Sequence, residues 1–516
     1  MRENPAASSL LFMRAVLCYN ERRQGEPPAS EQANALCSSG ACGAVRAQVR
    51  REAADARIGE EWTLIDHRLT DTIAAQATPP GEGGVAIVRI SGPECRGIMA
   101  RVFAAQNGQP LAPRRLTFGH ILDGGTVVDE AMAVLMPAPH SYTREDVAEI
   151  QCHGSQALVG RVLSLLLRAG ARMAGPGEFT YRAFINGRVD LTQAEAVMRM
   201  IRAGSERAMR SARRQMEGGV SAFVREAREA IIEVLASLSA AVDFPDEVEE
   251  TLVSAQVSER CADIAARLRD ACDPRAGRIE DEGLRVVLAG RPNAGKSTLL
   301  NALVGGERAI VTDVPGTTRD TLSESIAIDG VRIVLTDTAG LRETDDPVER
   351  IGVARARQAM ERADVLALVL DASEPISRED AGVLGGLTPQ IIVLTKGDRP
   401  AAVGEGELAH RFPGVPSVAV CAQTGEGMDA LRRALTAFVP AEDGESCALT
   451  QARHVEAAMR SCAALDDAVR AMDEGYPLDM AAIDLSAALD ALGEITGETM
   501  RETVIDEVFS RFCVGK

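Results

Sequence analysis

Past residue 70 the apolar positions gather into short runs separated by turn residues. Val85-Ala86-Ile87-Val88-Arg89-Ile90 is rich in β-branched residues, follows the Pro79-Pro80-Gly81 turn and closes at Ser91-Gly92-Pro93, a pattern that predicts a strand. Strands are likewise predicted at Phe118–Leu122, Thr126–Leu135 and Asp146–Cys152, and an apolar helix at Ala157–Ala169, so that residues 70–186 read as an α+β domain. From about 190 to 275 prolines nearly vanish and apolar residues recur at helical spacing, as in Ala230-Ile231-Ile232, Val234-Leu235 and Leu238, then Ile264-Ala265 and Leu268. That period belongs to helices with one face inside. The same texture resumes from about 450 to 513. Residues 187–282 and 443–516 therefore read as two parts of one all-α domain, and 283–442 as an α/β domain inserted between them. Residues 1–69 carry no such period and include turn-rich pieces such as Gly25-Glu26-Pro27-Pro28 and Ser38-Ser39-Gly40. They read as a disordered extension, or as a start codon assigned too far upstream.

Composition narrows the function classes. The 516 residues are 46% hydrophobic and 25% charged, an ordinary globular balance, and no apolar run reaches the roughly 18 residues of a membrane helix. This argues against an integral membrane protein. The charge sum, 56 Lys+Arg against 75 Asp+Glu, is −19, so the field of the whole chain repels phosphate backbones. Nucleic-acid contact then needs a local basic patch or a partner. Aromatic residues make up 3% with a single Trp, Trp62, which leaves little for base-stacking platforms. Of eleven cysteines no two form Cys-x-x-Cys, and the nearest pair, Cys37 and Cys42, fits no zinc spacing. Reduced thiols in a cytoplasm are the reading this supports.

The insert opens with the apolar run Leu284-Arg285-Val286-Val287-Leu288-Ala289. It passes directly into Gly290-Arg291-Pro292-Asn293-Ala294-Gly295-Lys296-Ser297 and the helical Thr298-Leu299-Leu300-Asn301-Ala302-Leu303. This is G-x-x-x-x-G-K-S in the strand-loop-helix setting the motif requires. Its backbone N–H groups close around phosphates, Lys296 neutralises charge at the β/γ positions, and the Ser297 hydroxyl ligates Mg²⁺. The expected phosphate contacts are Asn293, Ala294, Gly295, Lys296, Ser297 and Thr298. Further on, Ser325–Ile328 and Val331–Leu335 flank Asp329-Gly330, a strong hairpin signal. The second strand ends in Asp337-Thr338-Ala339-Gly340, where Asp337 can hold Mg²⁺ through water and the Gly340 N–H can meet the γ-phosphate.

Ile391–Leu394 delivers Thr395-Lys396-Gly397-Asp398. The Asp398 carboxylate can accept both N1–H and N2–H of guanine, a donor pair that adenine lacks. The usual first residue of this motif is Asn. Thr395 supplies no amide, a departure that bears on the strength of nucleotide binding and not on the choice of base. After the next strand, in Cys421-Ala422-Gln423-Thr424-Gly425, the Ala422 N–H is placed to meet the guanine carbonyl. Motif order and spacing imply a GTPase domain. Leu341 stands where a Ras-type enzyme has its water-orienting Gln, so hydrolysis is organised differently here. The hydroxyl-rich loop Thr312, Asp313, Val314, Pro315, Gly316, Thr317 and Thr318 is of the kind that folds over a γ-phosphate, with Thr318 as candidate second Mg²⁺ ligand.

Four separated stretches together resemble the tRNA uridine-modification GTPases of the MnmE (TrmE) family. They are Asp71-Thr72-Ile73-Ala74-Ala75-Gln76-Ala77-Thr78-Pro79-Pro80-Gly81, Gly175-Pro176-Gly177-Glu178-Phe179-Thr180-Tyr181-Arg182-Ala183-Phe184, the P-loop with Gly316-Thr317-Thr318-Arg319-Asp320, and the final Phe512-Cys513-Val514-Gly515-Lys516. The likeness runs from Asp71 to Lys516. It implies a multidomain fold: an α+β folate-binding-like N-terminal domain over 70–186, an all-α helical domain, and an inserted P-loop GTPase domain. It implies K⁺ held by Asn293, Thr312, Val314 and Thr317 between paired G domains, standing where an arginine finger would be, and Glu349 orienting the attacking water beside Lys296 and Asp337. It implies an N-terminal domain that dimerises and binds 5,10-methylene-tetrahydrofolate or 5-formyl-tetrahydrofolate through Arg89, Glu149, Arg188 and Lys516, with Cys513 in the tail nearby. It implies a cytoplasmic homodimer that joins MnmG, an FAD-bearing flavoprotein, in a heterotetramer. Together they install an aminomethyl or carboxymethylaminomethyl group at C5 of the wobble uridine of certain tRNAs, with glycine or ammonium as nitrogen source.

Several of these residues carry a plainer reading from the residues alone. Glu349 is one acid in an acidic helix start, Arg89 and Glu149 suit a buried ion pair, and Cys513 suits an inert buried thiol. The arginines Arg199, Arg202, Arg207, Arg210, Arg213 and Arg214 on a predicted helix suit tRNA or a partner less well than an ordinary solvated face. Two other functions compete with the modification enzyme. One is a regulatory switch GTPase acting in ribosome or other assembly, and the other a folate-dependent transferase independent of GTP. A pure switch has no use for a folate-like domain and a Cys-bearing tail.

Overall fold

The computed structural model describes residues 71–243, 250–306, 323–337, 356–440, 449–500 and 502–515. These form two compact units, one ending at Ala174 and the other comprising Tyr142–Arg144 and the chain from Gly175. In the first, β1 (Ile73–Gln76), β2 (Gly83–Ser91), α1 (Cys95–Val102), β3 (Phe103–Ala105), β4 (Thr117–Asp123), β5 (Thr126–Met136), β6 (Val147–Gly154), α2 (Gln156–Arg168) and β7 (Arg172–Met173) follow in order. The seven strands form one sheet in the order β3-β4-β5-β6-β2-β1-β7, antiparallel except where β1 meets β7. Alternation sets which face each residue takes. Ala86, Val88 and Ile90 of β2 are buried and pack with Ile98, Met99, Val162 and Leu166 of the two helices, which leaves Arg89 on the other face.

The second unit carries α3 (Glu178–Ile185), α4 (Leu191–Arg202), α5 (Glu206–Met216), α6 (Gly219–Asp243), α7 (Glu250–Ala271) and α8 (Pro274–Glu282) ahead of a second sheet. That sheet and its helices comprise β8 (Leu284–Ala289), α9 (Lys296–Gly306), β9 (Ser323–Ile328), β10 (Val331–Asp337), β11 (Val365–Asp371), α10 (Arg378–Gly382), β12 (Ile391–Thr395), α11 (Glu405–Arg411), β13 (Ser417–Ala419) and α12 (Met428–Thr436). Then α13 (Ala452–Asp473), α14 (Leu478–Thr496) and α15 (Glu502–Ser510) complete the chain. The six strands run in the order β13-β12-β11-β8-β10-β9, all parallel but for the β9–β10 hairpin. Helices from both parts of the chain share one core, with Val224, Ile231, Leu238 and Leu268 from before the insert against Leu465, Leu485 and Leu492 from after it. Each such side chain contributes about 1.5–3 kcal/mol by leaving water.

The arginine set departs from a solvated face on one helix. It lies on two helices, since the chain breaks at Ala203-Gly204-Ser205 and Ser205 caps α5 by accepting from the Ala208 N–H. Arg199 and Arg207 turn inward onto Glu280 of α8, at 2.9 and 3.8 Å, and Arg199 also reaches Asp281 at 3.1 Å. Glu280 is buried. Arg210 and Arg213 do lie on the surface, paired with Glu206 and Glu217 of their own helix. The buried cluster sits at the root of the insert, where the Arg207 N–H also donates to the Gly330 carbonyl at the tip of the β9–β10 hairpin. Residues 1–69, with the reading given to them above, lie outside the described residues, apart from which the strand and helix runs read from the sequence all appear.

Candidate nucleotide-binding site

Parallel strands leave their carboxyl ends together, and the site gathers there. β8 ends at Ala289 and opens the loop Gly290–Gly295. Gly290 is required by close approach, since a Cβ there would lie 2.4 Å from the Val369 carbonyl oxygen of β11. Asn293 adopts a left-handed φ of 64°, which turns the loop back toward the start of α9. Lys296 is buried, and its Nζ donates to the Gly290 carbonyl at 2.6 Å and the Arg291 carbonyl at 2.8 Å. Burial pushes its ammonium below the usual lysine range against the opposing pull of Asp337. The Ser297 hydroxyl donates to Asp337 Oδ2 at 2.8 Å. One hydroxyl and one carboxylate at the mouth of a helix N-terminus are hard oxygen donors suited to Mg²⁺.

The base-reading loop follows β12. Thr395 is buried, and its Oγ1 lies 2.6 Å from the Ala294 carbonyl oxygen and 3.0 Å from that of Leu370. A hydroxyl thus ties the base-reading loop to the phosphate loop. Lys396, at a left-handed φ of 58°, places Nζ 2.5 Å from Asp371 Oδ2. Burial alone would raise the Asp371 carboxyl, but bonds from Lys396 and Ser373 hold it below the usual carboxylate range. Asp398 is exposed and receives Cys421 Sγ at 3.5 Å, and Ala422 follows directly. Asn293 to Thr298, Asp337, Thr395 to Asp398 and Ala422 therefore share one end of the sheet.

Thr312, Asp313, Val314, Pro315, Gly316, Thr317, Thr318, Thr338, Ala339, Gly340, Glu349 and Lys516 lie outside the described residues. Asp371, Cys421 and the Arg291–Asp380 pair (2.6 Å) were not read from the sequence. Asp371 carried a signal, since it ends the unbroken apolar run of β11 as Asp337 ends β10.

In the first unit Arg89 and Glu149 face each other across β2 and β6, with Nε 2.9 Å from Oε1 and both side chains largely buried. Arg188, in the second unit, donates to the Tyr142 carbonyl at 2.7 Å and lies 4.7 Å over the Tyr142 ring. The tail is seated on the Gly175-Pro176-Gly177 turn. Phe512 packs with Tyr181, Leu191 and Phe509, the Gly177 N–H donates to the Cys513 carbonyl at 3.3 Å, and Pro176 bridges to Val514. Cys513 itself is exposed, unlike the buried thiol expected from its type. Burial pushes Cys95 up to about 12 and Cys152, Cys261 and Cys462 up to about 11. No group of three or more His, Cys, Asp or Glu is placed to hold a metal ion among the described residues, nor is any helix there long and apolar enough to cross a membrane.

A phosphate loop, a Ser–Asp pair at its helix and a guanine-reading loop on a doubly wound sheet define a P-loop GTPase, here inserted into a helical domain. The profile of the MnmE helical domain matches residues 191–513, and that of the GTP-binding protein TrmE N-terminus matches 72–188. The tRNA modification GTPase MnmE of Symbiobacterium thermophilum is 47% identical over 454 residues, covering 86% of this chain and 99% of that protein. Its counterpart in Chloroflexus aurantiacus is 45% identical over 458 residues, 87% of this chain and 100% of the relative. The chain belongs to the MnmE (TrmE) family of tRNA modification GTPases. Among solved structures, the G domain of the T. maritima FeoB iron transporter is 27% identical with a TM-score of 0.24, covering 30% of this chain and 99% of that one, a likeness too slight to carry an argument.

Proposed function

We propose that this chain is a K⁺-activated GTP hydrolase which, with an FAD-bearing flavoprotein, modifies C5 of the wobble uridine in certain tRNAs. The observation that carries the hydrolase reading is the Ser297–Asp337 hydrogen bond of 2.8 Å beside the buried Lys296. Ser297 and Thr318 would hold Mg²⁺, with Asp337 orienting the Ser297 hydroxyl. Asn293, Thr312, Val314 and Thr317 would hold K⁺. When bound, the two cations would supply positive charge against the phosphate oxygens, K⁺ in the place of an arginine finger. Lys296 binds the β/γ-phosphates, Asp398 selects guanine, and Glu349 orients water. Hydrolysis at paired G domains of a homodimer moves the helical domain, in a cytoplasmic assembly with the flavoprotein and tRNA and no membrane.

On this reading Arg89, Glu149, Arg188 and Lys516 bind 5,10-methylene-tetrahydrofolate or 5-formyl-tetrahydrofolate, which supplies the carbon. The Arg89–Glu149 pair suits that role because a guanidinium and a carboxylate offer charged contacts of both signs on one sheet face. The test is phosphate release from GTP by the purified chain in K⁺ and in Na⁺, with Asp337→Asn beside it. Hydrolysis is expected in K⁺, to fall in Na⁺, and to drop on the order of 100-fold in the variant. Equal rates in both salts, or an unaffected variant, would overturn the proposal.

A further inference from the structure

From the end of β11 into α10 runs Asp371–Asp380, a segment that carries none of the nucleotide motifs. It holds two buried carboxylates built in the same way. Asp371 accepts the backbone N–H and the hydroxyl of Ser373 on Oδ1, at 3.0 and 2.6 Å, and presents Oδ2 to Lys396 Nζ at 2.5 Å. Asp380 accepts the backbone N–H and the hydroxyl of Ser377 on Oδ2, at 2.7 and 2.8 Å, and presents Oδ1 to Arg291 Nε at 2.6 Å. In each case a nearby serine satisfies one oxygen, and the other oxygen meets a cation from outside the segment. A carboxylate this deeply buried is tolerated only while its cation stays in place, so each pair fixes both of its members.

The two cations come from the two nucleotide loops. Arg291 is the second residue of Gly290–Ser297, and Lys396 is the second of Thr395–Asp398. Arg291 also reaches Glu374 of the segment at 3.2 Å, and its own carbonyl receives Lys296 Nζ at 2.8 Å. The carboxylate that grips the Arg291 side chain thereby sets where the lysine of the phosphate loop rests. Lys396 has a left-handed φ of 58°, uncommon outside glycine and asparagine, and it stands two residues before Asp398. The Ala372 N–H fastens the same turn by donating to the Thr395 carbonyl at 3.0 Å. We propose that Asp371 and Asp380 are positioning residues for GTP, Asp380 setting the phosphate loop through Arg291 and Asp371 setting the base-reading loop through Lys396. The inference rests on the reading above that Asp398 selects guanine. Ion pairs that only hold the fold together would act on the whole nucleotide alike, whereas these two act on opposite ends of it.

The experiment measures GTP hydrolysis in K⁺ by the intact chain, by Asp371→Asn and by Asp380→Asn, with GDP and IDP binding and melting curves beside each. IDP lacks the 2-amino group of guanine and so loses one of the two donors that Asp398 reads. Asp371→Asn is expected to raise KM about tenfold, more than it lowers kcat, and to lose much of the preference for GDP over IDP. Asp380→Asn is expected to lower kcat about tenfold, more than it raises KM, and to keep that preference. A variant that does not fold is replaced by Lys396→Gln or Arg291→Gln, which breaks the same pair from its partly exposed side and carries the same expectation. Unchanged constants in both variants overturn the proposal. So does an equal loss in both that follows a lowered Tm and leaves the GDP preference intact, since the pairs then only hold the fold. An intact chain that binds IDP as tightly as GDP is a different result, visible before any substitution, and it removes the guanine reader and the role of Asp371 together.

Discussion

Replacing Thr395 by Val deletes one hydroxyl at nearly constant shape, and the structure says what that hydroxyl does. Its oxygen lies 2.6 Å from the Ala294 carbonyl oxygen in the phosphate loop and 3.0 Å from Leu370 O in β11. The site is buried, so water cannot take over the bond. Leaving a buried carbonyl without its donor costs about 1–3 kcal/mol. Part of that loss falls on the fold as a whole and part on the loop's readiness to receive phosphates. If about 1–2 kcal/mol falls on the loop, GTP binding weakens about 5- to 30-fold, at about 1.4 kcal/mol per factor of ten. Val keeps the branched shape of Thr at Cβ and Thr395→Ser keeps the hydroxyl, so the pair isolates the hydroxyl's share. A fluorescent GTP analogue titrated onto wild type, Thr395→Val and Thr395→Ser, with melting curves in the absence of nucleotide, gives both shares. Thr395→Ser is expected to stay near wild type. A Kd for the Val variant within about twofold of wild type, with an unmoved Tm, would show that the bond to the phosphate loop does nothing and refute the reasoning.

Three other substitutions follow from the same geometry. Glu280→Ala leaves Arg199 and Arg207 without the buried acid they face and is expected to cost about 3–5 kcal/mol, read from denaturant unfolding. Gly177→Ala puts a Cβ 2.8 Å from the Phe509 carbonyl oxygen and from Phe512 Cβ at a left-handed φ of 64°. It is expected to release the tail, seen as faster proteolysis after residue 509. His454 stands 2.9 Å from Glu195 with Arg453 beside it. Burial lowers its pKa from 6.5 despite the opposing carboxylate. The folded protein therefore resists a proton that the unfolded chain accepts, so its stability is full above about pH 6.5 and falls as pH drops below it. His454→Gln is expected to flatten that part of the stability–pH curve, and an unaltered slope would refute the assignment.

The phosphate loop was legible because strand, glycines, Lys296, Ser297 and helix are contiguous, and local chemistry alone dictates their shape. Asp329-Gly330 was legible for the same reason, since only a few residues tolerate that turn. Thr395 was read as a missing amide, whereas its work lies in a bond to Ala294, about a hundred residues earlier. The arginine set misled for a similar reason. Arg210 and Arg213 find acids four residues away on their own helix, but Arg199 and Arg207 pair with an acid some 80 residues on. No window of sequence contains that pairing. Cys513 shows the converse, since a terminal residue that would ordinarily fray is held by Phe512 and Val514 on either side while its thiol stays in water.

The proposed function requires that this chain serve modification of the wobble uridine in tRNA and that its tail take part. The most direct measurement is the nucleoside content of bulk tRNA, by mass spectrometry, in cells lacking the protein and in the same cells supplied with the intact chain or with one ending before Phe512. The C5-modified wobble uridine is expected to disappear without the protein, and only the intact chain is expected to restore it. A nucleoside profile unchanged by the loss would rule out the modification role and leave a regulatory switch GTPase as the reading of the nucleotide site.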